Sequence, residues 1–223
     1  MQVTFGNQKG FTLVEMAIVL VIIGLLLGGV LKGQELIANS RVKAAVNEMN
    51  SVTVAYNGYL DRFRALPGDD GDLARLRARG ANWATITVVG DRDGVLEITP
   101  AQTFTGAGES VPFWQAVKAA GFITGNPADA GVAALLPNTF QGLIGVANNA
   151  TPPITGMPQG VLSVCISQVP GKASAQMDTQ LDDGLPNRGS VRATVGAAGV
   201  NTVPAAAPAA YSENNQYTVC RAL

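Results

Sequence analysis

The chain contains no histidine. That removes Ser-His and Cys-His nucleophilic catalysis, imidazole proton shuttling and zinc sites of the usual type. Charge is scarce as well: Asp, Glu, Lys and Arg make up 14% of the residues, against roughly 25% in an average soluble protein. The formal net charge is −1, so no overall basic field draws the molecule to nucleic acid or anionic lipid. No phosphate-cradling loop, paired-carboxylate cleft or activated nucleophile is recognisable in the sequence. An enzyme is therefore not expected. What the chain does have is glycine and proline, 26 and 12 of its 223 residues, which predict a loop-rich body. It also has one long apolar run near its start.

From Phe11 to Leu31 the sequence reads FTLVEMAIVLVIIGLLLGGVL, with Glu15 its one charge and Thr12 its one hydroxyl. As a helix rising 1.5 Å per residue it would span roughly 31 Å, about the hydrocarbon thickness of a bilayer. A cleaved secretory signal has a shorter apolar region, about 7–15 residues, and ends in a small-x-small site. Here the run passes into Lys32-Gly33-Gln34 without such a site, so a membrane anchor is the better reading.

Glu15 is the anomaly in that anchor. A carboxylate at the bilayer centre costs about 2.5–3.5 kcal/mol on insertion scales, and less near the start of the helix. It can rest at the interface, favoured by the helix macrodipole. Alternatively it meets a positive partner inside an assembly, such as a free amine created by cleavage just before Phe11. The ten preceding residues suit a removable leader: Met1 to Gly10 is short and polar, ends in Lys9-Gly10, and meets the apolar run abruptly.

The segment Lys9-Gly10-Phe11-Thr12-Leu13-Val14-Glu15 resembles the processing motif of type IV pilins and of the pseudopilins of type II secretion. The likeness rests on the glycine, the aromatic residue after it, the carboxylate four positions later and the uninterrupted apolar helix. It implies that a prepilin peptidase cuts between Gly10 and Phe11 on the cytoplasmic side and N-methylates Phe11. It implies an inner-membrane, single-pass precursor and an inner-membrane assembly platform. It further implies a homo-oligomeric helical filament, in which the Phe11 amine of one subunit is expected to meet Glu15 of a neighbour. Methylation keeps that amine positive, and low local dielectric strengthens the pair. Two roles fit the resemblance. One is an extracellular pilus, or fimbrium, for adhesion, twitching motility or DNA uptake. The other is a periplasm-spanning pseudopilus that drives protein export.

Beyond Lys32 the uniformly apolar pattern becomes periodic: Val42, Val46, Met49, Val52, Tyr56, Tyr59 and Phe63 recur at steps of three and four, one face of a helix. Leu66-Pro67-Gly68 supplies a stop. The spacing predicts one helix over residues 11–64, about 80 Å long at 1.5 Å per residue, with residues 11–31 in the membrane or filament core. Gly24, Gly28, Gly29 and Gly33 weaken it by about 1 kcal/mol each relative to Ala. They suit close helix packing or a stretch that melts on assembly, as the resemblance implies; the proline the family often carries there is missing. The basic residues Lys32, Arg41 and Lys43 follow the run while only Lys9 precedes it. The positive-inside rule therefore gives little support to a cytoplasmic leader, and the processing motif decides that orientation.

Residues 65–223 form the expected globular head, giving an α+β chain: a leader over residues 1–10, a long helix over 11–64, and an antiparallel β-sheet packed on it. Trp83–Val89, Gly94–Ile98, Leu143–Ala147, Val161–Val169, Val191–Val195 and Tyr217–Arg221 read as strands. Ser110–Ala120 reads as a helix capped by Ser110 and ended by Gly121. Stretches 127–158 and 196–210 read as surface loops. Cys165 and Cys220, the only cysteines, allow one connectivity. They are either buried thiols or, as in the C-terminal disulfide loop of many pilins, a bridge. The motifs Leu66-Pro-Gly-Asp-Asp70, Phe113-Trp114 and Asp182-Asp-Gly-Leu-Pro186 also resemble pilin-like proteins of Gram-negative bacteria. Asp69-Asp70-Gly71-Asp72 and Asp182-Asp183 offer oxygens suited to calcium, which some major pseudopilins bind, but lack EF-hand spacing. Acidic turns explain both more simply, so no cofactor is required. Arg62, Arg64, Arg75, Arg77 and Arg79 are a solvated surface or a basic stripe for nucleic acid or phosphate.

Overall fold

The computed structural model describes residues 10–148, 157 and 160–223. The expected leader, apart from Gly10, and part of the 127–158 loop lie outside those residues. Two compact units divide the chain, one ending at Ser40 and one running from Arg41 to Leu223. Helix α1 (Leu13–Phe63) contributes to both and is continuous through all four glycines.

Within the second unit, α1 buries Val42, Ala45, Met49, Val52, Ala55 and Tyr59. The expected stripe is thus centred slightly differently. Ala45 and Ala55 lie at its middle, while Val46, Tyr56 and Phe63 are only partly buried at its borders. The helix stops as predicted. Gly68 adopts φ +97°, and a Cβ there would come within 2.6 Å of the Phe113 backbone nitrogen. Only glycine permits that turn at that approach.

The sheet has five strands, β1 (Leu136–Pro137), β2 (Leu143–Asn148), β3 (Leu162–Pro170), β4 (Val191–Gly196) and β5 (Gln216–Ala222), in the order β1-β2-β3-β5-β4. All neighbouring pairs are antiparallel. β3 and β5 pair through a register that places Cys165 opposite Cys220, with a bulge between Ile166 and Val169. Arg221 of β5 donates to Asn50 of α1 at 2.6 Å, and the Thr139 N–H donates to Glu48 at 3.2 Å. Two long-range polar contacts therefore tie the helix to the sheet side of the core. The fold is α+β and pilin-like: a long N-terminal helix followed by an antiparallel five-stranded sheet.

Among the described residues the head also holds three α-helices, α2 (Leu73–Arg77), α3 (Ser110–Ala119) and α4 (Gly171–Leu181). Every residue of α3 is buried. Its Gln115 is satisfied by the Thr87 N–H at 3.1 Å and the Asp129 carbonyl at 2.9 Å, as a buried amide requires. Glu109, not Ser110, occupies the position before the first turn. The α4 segment was not expected. Its buried positions are mainly small or polar, with Met177 its one large anchor, so the apolar periodicity is too weak to read.

The two expected strands after the helix, Trp83–Val89 and Gly94–Ile98, are not in the sheet. Side chains replace a ladder there. Thr87 N–H donates to Gln115, Arg92 and Gly94 N–H to Asp69, and Glu97 N–H to Glu109 at 2.7 Å. Carboxylates and one amide satisfy the backbone that β pairing otherwise would.

Candidate functional site

The amino-terminal helix carries the candidate residues for processing and assembly. Thr12 and Glu15 close its first turn on each other. The Thr12 N–H and hydroxyl both donate to Glu15 Oε2 at 2.7 Å, and the Glu15 N–H donates to Thr12 Oγ1 at 3.3 Å. This reciprocal arrangement is a capping box. Its sequence sign is Thr-x-x-Glu, Thr12 to Glu15, at the head of an apolar run. In the single chain, then, Glu15 serves its own helix, with the macrodipole in its favour.

Phe11 is 81% exposed and Leu13 87% exposed. The large apolar side chains through Leu31 are exposed in the same way, and the helix is long and apolar enough to cross a membrane. An exposed apolar surface of this extent marks a membrane or assembly contact. No atom outside the local helix backbone lies within 4 Å of a Cβ placed on Gly24, Gly28, Gly29 or Gly33. No packing among the described residues therefore offsets their helix-weakening effect.

Residues 6–31 match the prokaryotic N-terminal methylation motif. This is the type IV pilin and pseudopilin signature. No curated protein matches the chain. The methylation motif spans Gly10, Phe11, Glu15 and the apolar run, so the residues singled out by sequence for processing and assembly all fall within it. It ends before the head, whose fold rests on its own core.

In the head, Cys165 and Cys220 form a disulfide across β3 and β5, with Cα atoms 4.0 Å apart. Both are buried.

The acidic motifs are divided among several structural tasks. Asp69 receives the Arg92 and Gly94 N–H groups, and Asp72 caps α2 through the Ala74 N–H at 2.9 Å. Asp70 accepts from the Tyr59 hydroxyl at 2.9 Å and pairs with Arg79 at 2.6 Å. Burial, with the Asp70 charge beside it, pushes the Tyr59 phenol above its ordinary range. Folding brings Asp69 together with Asp91 and Glu109, and Asp178 with Asp182 and Asp183, their carboxylate oxygens within 4.8 Å of one another. Sequence proximity did not reveal the first of these sets. Most of these oxygens already accept hydrogen bonds: Asp182 holds the Ser190 and Val191 N–H groups, and Asp178 the Tyr211 hydroxyl at 2.6 Å.

Of the two readings of the arginines, a solvated surface or a basic stripe, the contacts of three of them do not form a stripe. Arg77 donates to the Ile86 carbonyl. Arg79 stacks over Phe63 and Trp83 at 4.5 and 4.9 Å, and Arg62 lies over Phe63.

Proposed function

We propose that this chain is the structural subunit of a type IV pilus. It is cut by prepilin peptidase between Gly10 and Phe11, N-methylated at Phe11, and assembled through the apolar half of α1. The carrying observation is the methylation motif on a helix whose apolar residues through Leu31 are exposed. Before assembly the helix is anchored in the inner membrane. In the filament the apolar helices pack together, and the Phe11 amine replaces Thr12 as the partner of a neighbour's Glu15. The head lies outside the membrane, serving adhesion, motility or DNA uptake, and its disulfide suits an oxidising compartment.

The test is the intact mass and N-terminal peptide of the chain from membrane and sheared-surface fractions of its native host. Singly methylated Phe11 in the sheared fraction is the expected result. The same species confined to membranes, with secreted proteins accumulating in the periplasm on deletion, identifies a pseudopilin instead. An intact Met1 leader in every fraction overturns the assembly reading.

A further inference from the structure

An open cavity of about 660 Å³ lies at the C-terminal end of α1, wholly within the second unit. Leu60, Phe63 and Leu66 give it an apolar lining, and Arg64, Arg75 and Arg92 give it three cationic side chains. We propose that this cavity binds a phosphate oxyanion through Arg64, Arg75 and Arg92, residues outside the apolar segment on which the proposed assembly rests.

Three observations carry the proposal. First, among the described residues none of these arginines has an ion pair or a side-chain hydrogen bond, whereas Arg77 and Arg79 nearby are both engaged. All three are exposed, so water screens them from one another and their guanidinium donors are free to take an anion. Secondly, the two carboxylates in the lining are buried and bond groups other than these three arginine side chains, although Asp69 keeps its charge beside Asp91 and Glu109. Asp69 is 2% exposed and holds the Arg92 and Gly94 N–H groups, and Asp70 is 2% exposed and holds Tyr59 and Arg79. Thirdly, Arg64 and Arg92 have φ values of 54° and 67°. That region favours glycine, and a long side chain held there marks a position where the side chain matters. Arg64 occupies the position after the last helical residue, where glycine is the usual choice. Arg92 is further placed by Gly71, since a Cβ on that glycine would lie 2.9 Å from Arg92 Cδ.

Guanidinium groups bind phosphate oxygens through paired, charge-assisted hydrogen bonds. The phosphate can be free or part of a phospholipid headgroup, and the adjoining apolar lining is compatible with either source.

The test uses the full chain in dodecylmaltoside micelles. Inorganic phosphate is titrated calorimetrically at constant ionic strength against a chloride control. In parallel, native mass spectrometry scores retention of phosphatidylglycerol over phosphatidylcholine. The comparison is the double variant Arg64→Gly, Arg75→Gln and, separately, Arg92→Gly, which keeps the backbone N–H that Asp69 uses. Glycine suits both left-handed positions, so the melting temperature should not fall. Binding should weaken by about ten-fold or more, the scale of a lost charge-assisted contact. Saturable phosphate binding lost in the variants supports the proposal with free phosphate as source. Phosphatidylglycerol retention lost in the variants supports it with the headgroup as source. Absence of both, or binding equal in wild type and variants, overturns it.

Discussion

Glu15 has two possible partners at the scale of a single residue. In the isolated chain its carboxylate holds the Thr12 N–H and hydroxyl; in the proposed filament it holds the amine of a neighbouring Phe11. Glu15→Ala removes both. The cap is worth about 1 kcal/mol to a helix end, whereas breaking a buried charge pair by removing one partner costs about 3–5 kcal/mol. The larger loss falls on assembly. Cleavage after Gly10 should therefore persist while sheared filaments drop sharply, read by immunoblot of both fractions; normal filament yield would defeat the assembly role.

Glu109 makes a separate residue-scale case. Burial, followed by the neighbouring charges of Asp69, Asp91 and Glu97, raises its carboxyl above the ordinary value, although the Glu97 N–H opposes that shift. A raised folded-state value means that stability is fully present below the unfolded value, about 4.3, and is lost as pH rises through the folded one. Glu109→Gln should consequently raise the melting temperature at pH 7, with the advantage vanishing below about pH 4. Equal melting temperatures at both pH values would refute this account.

At the scale of elements, the disulfide joins directly paired positions of β3 and β5 across a sequence separation of 55. Closing a loop of that length stabilises a fold by about 2–4 kcal/mol. Replacing Cys165 and Cys220 with alanine should lower unfolding free energy by that order in a denaturant titration. An unchanged midpoint would show that the strand register alone holds the C-terminus.

The elements also show which patterns a sequence can display. The second half of α1 was legible because its large apolar residues repeat at helical spacing. Four of the sheet's five strands were legible because they are apolar runs bounded by turns. Trp83–Val89 and Gly94–Ile98 have the same local look. They join no strand ladder: Gln115, Asp69 and Glu109 take the Thr87, Gly94 and Glu97 N–H groups, and Ile98 meets β2 through one bond, its carbonyl accepting from the Asn148 N–H at 2.7 Å. Local pattern reports that a segment is extended and does not report which group satisfies its backbone. α4 hid for the opposite reason, since Ala173, Ser174 and Asp178 are buried without being large or apolar.

For the whole molecule, the buried hydrophobic residues run from Val42 to Cys220. None of the large apolar residues from Leu13 to Ile37 joins them. A chain beginning at Arg41 is therefore expected to fold alone and remain soluble, with a cooperative thermal transition by circular dichroism. A non-cooperative transition would mean that the head needs the preceding helix.

The membrane-length helix, the methylation motif and the place where the helix stops are all legible in the order of the residues. Each is written in contiguous residues: an apolar run, Gly10-Phe11 with Glu15, and Leu66-Pro67-Gly68. Folding settles that Cys165 and Cys220 are bridged rather than buried thiols, how the acidic motifs divide into loop caps and a buried ion pair, and the company that Arg92 keeps with Arg64 and Arg75. Those outcomes depend on groups brought together by the sheet register and by loops closing over α3. The energies involved are set by burial and distance, which contiguous residues do not encode.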